Sequence, residues 1–141
     1  MTRIDFYVVP PSEEDSKDLA ACRLTQKAYR LKHRIYILTE NADQSTHLDR
    51  LLWTFNPGSF IPHQVHADTV DPRLPVLIGH DVPPTEFNDV LISLAPKVPE
   101  FFARFARVAE LVGAPEADRA AARERFRIYR DRGFAVETHN L

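Results

Sequence analysis

The chain has 141 residues, of which 44% are hydrophobic and 27% charged, with 18 basic against 20 acidic side chains. This is the size and composition of one ordinary globular domain, and the near-neutral balance gives no global attraction to nucleic acid. A single cysteine, Cys22, excludes an internal disulfide framework and a cysteine zinc centre, and no apolar run approaches the roughly 18 residues of a membrane span.

The opening MTRIDFYVV lacks the basic start and long apolar run of a signal peptide, so the expected location is the cytoplasm. Within it, Arg3 to Val9 is rich in β-branched and aromatic residues and ends at Pro10 and Pro11, which cannot continue a sheet ladder, so it predicts a strand. Ser12 and the acids after it open a helix through about Leu31, with Leu19, Cys22, Leu24 and Tyr29 as apolar contacts. RIYILT, Arg34 to Thr39, is a short buried strand. Asn41 or Asp43 caps the next helix, which carries Leu48, Leu51 and Leu52 and ends near Trp53.

Eight of the eleven prolines fall between Pro57 and Pro99, around short strands at Pro75 to Gly79 and Asp89 to Leu94. Within this region PHQVHADTVD places His63 and His66 near Asp68 and Asp71. On an irregular loop without a third fixed ligand these predict solvation and no metal. WTFNPGSFIPH gathers Trp53, Phe55, Phe60, Ile61 and Pro62, residues that suit either a core or an interface.

The strongest signal is RAAARERFRIYRDRG, Arg119 to Gly133, which holds six arginines against Glu124 and Asp131, while the rest of the chain holds 12 basic and 18 acidic residues. Pro115, the alanines and arginines, and Gly133 as a left-handed cap predict a helix. At about 100° per residue, Arg119, Arg123, Arg127 and Arg130 fall within an arc of about 80°, with Phe126 at its edge. Ala117, Ala121 and Ile128 would face the core. Guanidiniums beside a ring suit a ligand with carboxylates and an apolar group; phosphate is the rival, which would make this a direct single-stranded nucleic-acid site.

The alternation of strands and helices implies a single α/β domain over residues 1–141, three-layered α/β/α with a mostly parallel or mixed sheet, Rossmann-like but without a nucleotide-binding motif. Gly58, Gly79, Gly113 and Gly133 lie too far apart to assemble either phosphate-binding glycine loop. Cys22 reads as a small core residue, no Ser, His and acid arrangement stands out, and neither catalysis nor a cofactor is expected.

RERFRIYRDRGF, together with LDRLLW, SFIPH and DVLISL, resembles the chi subunit of bacterial DNA polymerase III holoenzyme nearly end to end. The resemblance implies an accessory subunit without its own active site, linking the clamp loader, through the psi subunit, to single-stranded-DNA-binding protein. In that family the C-terminal helix receives the acidic, phenylalanine-terminated tail of that protein. Carried onto this chain, the tail site comprises Arg123, Phe126, Arg127, Tyr129, Arg130 and Gly133. Phe126 stands where tyrosine is familiar and Arg127 where lysine is. Trp53, Phe60 and Pro62 match the region that docks psi, and contact with DNA would be indirect. Between Pro99 and Gly113, Phe101, Phe105, Val108 and Val112 keep helical spacing, whereas the resemblance implies a strand; the expectation is a short helix to about Ala103, a strand from Phe105 to Val112, and a last strand at Phe134 to Glu137.

Overall fold

A computed structural model describes residues 1–11, 16–71 and 73–141. The elements run β1 (Arg3–Val8), α1 (Ser16–Arg30), β2 (Ile35–Leu38), α2 (Ala42–Thr54), β3 (His63–Val65), β4 (Val76–Gly79), β5 (Val90–Ser93), a 3-10 turn (Phe102–Arg104), β6 (Arg107–Val112), α3 (Glu116–Asp131) and β7 (Val136–Asn140). The expected helix cap at Ser12 lies outside the described residues. Asn41 caps α2, its side chain accepting from the Gln44 N–H.

The strands form one sheet in the order β3-β4-β2-β5-β6-β1-β7. Every pairing is parallel, which settles the mostly parallel or mixed expectation. A parallel sheet needs cover on both faces, and the near-continuous apolar runs of β2, β4 and β5 follow from that. On one face Ile35, Ile37, Ile78 and Ile92 pack under α1 and α2; on the other Phe6, Tyr36, Leu77, Leu91 and Val108 pack with Phe87, Phe102, Phe105 and α3. The result is the expected three-layer, Rossmann-like α/β/α arrangement.

Three local expectations are corrected and a fourth is refined. His63 begins a strand, not an irregular loop, because β4 offers its edge to a segment too short and polar to announce itself. Between Pro99 and Gly113 the expected order of short helix then strand holds, the helix as the 3-10 turn and the strand as β6, which starts two residues later than Phe105 and pairs with β5 and β1. The last strand begins and ends later than expected, at Val136–Asn140, in register with β1 from Ile4 to Val8. Finally, α3 presents Ala122, Arg125 and Tyr129 to the core, whereas Ala117 is exposed and Ala121 and Ile128 are half-buried. The helix is rotated by about a quarter turn from the apolar-periodicity reading because an arginine, Arg125, occupies the core-facing side.

Candidate functional site

The start of α3 follows Pro115, whose φ of −57° suits a helix entry, and its end is set by Gly133 at φ +89°. A Cβ at Gly133 would meet nothing within 4 Å, so the left-handed backbone alone selects glycine there. The Phe134 N–H then donates to the Tyr129 carbonyl and turns the chain into β7.

What holds α3 in place is a buried polar group. The Arg125 Nε donates to Glu110 Oε1 at 3.1 Å, its other nitrogens reach the carbonyls of Pro96 and Leu111, and the Tyr129 hydroxyl donates to Glu110 Oε2 at 2.6 Å. Burial pushes the Glu110 carboxyl up, and the Arg125 guanidinium and Tyr129 hydroxyl pull against it. Tyr129 is raised by burial first and then by Glu110. The trio ties α3 to β6, and around it Tyr129 meets Phe6 and Phe102 edge-on.

This anchoring leaves a groove of about 450 Å³ between α3 and the β6-β1-β7 part of the sheet. Its floor is apolar: Phe6 and Val8 from β1, Val112 from β6 and Ala122 from α3, with Thr138 of β7 alongside Phe6. Phe6 and Val8 share a face because they are two residues apart in a strand. Arg119, Arg123, Arg127 and Arg130 form the rim. Phe126 is half-buried at the junction, 5.5 Å from the Phe6 ring centre.

The rim is partly self-neutralised. Arg123 pairs with Glu116 at 2.6 Å, Arg127 with Glu124 and Asp131 at 2.5 and 3.3 Å, and Arg130 lies 3.7 Å from Asp131. Hydrogen bonding from Arg123 and Arg127 holds the Glu116 and Glu124 carboxyls below the usual range. These pairs are solvent-exposed, so an incoming carboxylate exchanges for them at little cost.

Of the residues expected at a tail site, Arg123, Phe126, Arg127 and Arg130 meet at this groove. Tyr129 does not reach the surface: it is wholly buried and its hydroxyl is spent on Glu110, so a direct contact through it is withdrawn. Gly133 ends the helix and does not line the groove. Phe6, Val8, Val112 and Thr138 were missed, since only the strand order brings them under α3.

The second patch sits at the β3 edge. Ser59 is held by Gln26 at 2.8 Å, Ile61 is buried, and His63 is fixed through its ring nitrogens to the Ile61 carbonyl at 2.6 Å and the Asp49 carbonyl at 3.0 Å. Between these anchors Phe60 and Pro62 point outward; Phe60 is 79% exposed. Trp53, 51% exposed at the end of α2, leans on His63 with ring centres 4.3 Å apart. Both ring nitrogens of His63 thus lie against backbone carbonyl oxygens of the fold, which occupy the positions a metal would take.

Among the described residues, one group places three metal-type ligand atoms within 4.8 Å: Asp5, Glu137 and His139. Its centre, Asp5, already accepts from Arg107 at 3.2 Å and His139 at 2.9 Å and pairs with Arg3 at 3.2 Å. Against the effect of burial, these partners hold the Asp5 carboxyl below its ordinary value. The cluster stitches β1 to β6 and β7, with its charge already balanced by arginines.

The geometry defines a parallel α/β protein with a groove that is cationic at the rim and apolar at the floor. No helix among the described residues is long and apolar enough to cross a membrane. The sequence profile of the family described as DNA polymerase III chi subunit, HolC, matches residues 1–137, and the chain belongs to that family. The DNA polymerase III subunit chi of Pseudomonas aeruginosa is 40% identical over 141 residues, covering 100% of this chain and 98% of the relative. That of Escherichia coli is 30% identical over 118 residues, 83% of this chain and 80% of the relative. The Haemophilus influenzae protein of the same name is 26% identical over 137 residues, covering 96% and 95%. The crystal structure of T4 UvsW matches with a TM-score of 0.67 at 9% identity over 99% of this chain and 42% of that one, a likeness of fold alone.

Proposed function

We propose that this chain is a non-catalytic accessory subunit of the bacterial DNA polymerase III holoenzyme, tethering the clamp-loader assembly, through psi, to the acidic C-terminal tail of single-stranded-DNA-binding protein. The observation that carries the reading is the α3 groove: four arginines on its rim and an aromatic and aliphatic floor, at the positions the family resemblance associates with the tail. Its names support membership in the replicase; its chemistry supports an acidic ligand that ends in an apolar side chain.

Charge and shape divide the work. Arginine draws in any acidic segment, whereas only a ring of the right size fills the recess beside Phe126 and Phe6. Burying one phenyl side chain contributes about 1.5–3 kcal/mol, comparable to several exposed ion pairs, and a micromolar complex totals only about 8 kcal/mol. A weak contact of this kind gains hold from the many tails displayed along coated DNA and still releases. Trp53, Phe60 and Pro62 are exposed in the manner of an unfilled interface, which supports psi docking at the opposite edge of the sheet.

The test compares three acidic peptides by calorimetry: one ending in Phe with a free carboxylate, one with that Phe replaced by Ala, and one amidated. The first should bind best, the Ala peptide should lose about tenfold or more, and the carboxamide should lose one charge-assisted contact, at most about 1.5–3 kcal/mol. Equal binding by all three would reduce the groove to a generic acid-binding surface and sink the tail reading.

A further inference from the structure

A second groove, of about 390 Å³, lies on the opposite face of the sheet, between α1 and strands β5, β6 and β1. Its lining includes Leu24, Ala28 and Leu31 along α1, with Tyr7, Ile92 and Ala109 on the sheet. Leu31, just past the end of α1, is 63% exposed, an apolar side chain without cover. Two cations of α1, Arg23 and Lys27, stand on one wall; Arg107 on the other is already paired with Asp5 at 3.2 Å, Leu141 lies alongside, and no acidic side chain is in the lining.

The pattern repeats the one on α3. At helical spacing, Arg23, Lys27 and Arg30 form a cationic line, and Leu24, Ala28 and Leu31 form an apolar line beside it, as Arg119, Arg123 and Arg127 run beside Ala122 and Phe126. The two lines differ in one respect. Arg123 and Arg127 of α3 answer to acids of their own helix, whereas among the described residues neither Arg23 nor Lys27 has an acid within ion-pairing distance. The α1 wall is therefore the less neutralised of the two, and carboxylate is the complement it lacks.

Single-stranded nucleic acid also carries negative charge, but its sites are built on exposed ring faces on which bases stack. Here one face of Tyr7 is covered by His139, stacked at 4.9 Å and 21°, and His33 is held by Asp89 at 2.9 Å. The rest of the apolar lining, Leu24, Ala28, Leu31, Ile92 and Ala109, is aliphatic and suits a leucine-sized side chain.

We propose that the α1 groove is a second docking site, for an internal acidic segment of another protein that carries aliphatic side chains between its carboxylates. It is separate from the α3 groove and needs no free carboxyl terminus, because Arg23 and Lys27 stand one helical turn apart along the side of the apolar floor. The probe is a fluorescein-labelled, C-amidated hexapeptide of alternating aspartate and leucine, followed by anisotropy on the full chain. Arg23→Glu/Lys27→Glu should weaken binding about tenfold or more, and Leu31→Ser about threefold, both at unchanged melting temperature. Arg123→Glu/Arg127→Glu should change it by less than about twofold. Equal binding by the wild type and the Arg23/Lys27 variant overturns the proposal, as does loss of binding in the Arg123/Arg127 variant instead. An oligothymidylate that binds more tightly than the peptide and depends on Arg23 and Lys27 overturns it in favour of nucleic acid. Self-association abolished by the same two substitutions overturns it in favour of a second copy of this chain. Failure of the α3 tail peptides leaves this result standing, since the probe has no terminal phenylalanine or carboxylate.

Discussion

The α3 groove and the β3 edge offer partners opposite kinds of surface. The first is concave, rimmed by arginines and backed by a buried ion pair; the second projects Trp53, Phe60 and Pro62 from a loop fixed by Ser59, Ile61 and His63. A charged rim attracts from a distance and weakens with salt, while an exposed apolar patch acts only on contact and is largely indifferent to salt. The two surfaces thus suit a transient and a durable attachment respectively, held apart by the width of a seven-stranded sheet.

The largest effect should come from removing the backing of the groove. Arg125→Met keeps the volume but leaves Glu110 buried without its partner, and should cost about 3–5 kcal/mol of stability by urea unfolding. The double variant Glu110→Gln/Arg125→Met should recover most of that, because Gln still accepts from Tyr129 and carries no charge. If Arg125→Met is neutral, α3 is held by its apolar contacts alone.

Next in size is the β3 edge. Trp53→Ala should lower affinity for psi by about 2 kcal/mol or more, enough to abolish co-purification, while changing fold stability by less than about 1 kcal/mol, since half of the ring is already in solvent. It should leave tail-peptide binding intact. A variant that simply unfolds would assign Trp53 to the core.

A smaller change is expected at the rim. Arg123→Ala or Arg127→Ala should weaken an acidic, Phe-terminated peptide a few-fold to about tenfold, with less difference as salt rises. Unchanged calorimetric affinity in both would remove the arginines from the site. Bare single-stranded DNA should bind weakly at physiological salt; a tight complex with a steep salt slope would favour direct nucleic-acid binding instead.

The smallest effect concerns Asp5, which joins the strands beneath both grooves. Its folded carboxyl lies below the ordinary value, so its contribution is fully present above about pH 4 and is lost as pH falls through the folded value. Asp5→Asn should flatten the acid limb of stability measured between about pH 5 and 2. An unaltered limb would mean that other carboxylates govern it.

The sequence by itself determined what depends on neighbours along the chain. Proline stops, apolar runs and the Asn41 cap located β1, β2, α2, β4 and β5, and the arginine spacing located one face of α3, because such signals are local in cause. It also carried the family, through RERFRIYRDRGF and its companion stretches. Only the tertiary structure decided which face of α3 is buried, since the pairing of Arg125 with Glu110 joins residues fifteen apart and turns a charged side chain inward against its hydropathy. The same holds for β3, which exists because β4 pairs with it, and for the floor of the groove, where strand order brings Phe6, Val8 and Thr138 beneath Arg123 and Phe126. Tyr129 shows the boundary most plainly: the family resemblance carried it into the tail site, but the fold buries it against Glu110, out of reach of any ligand.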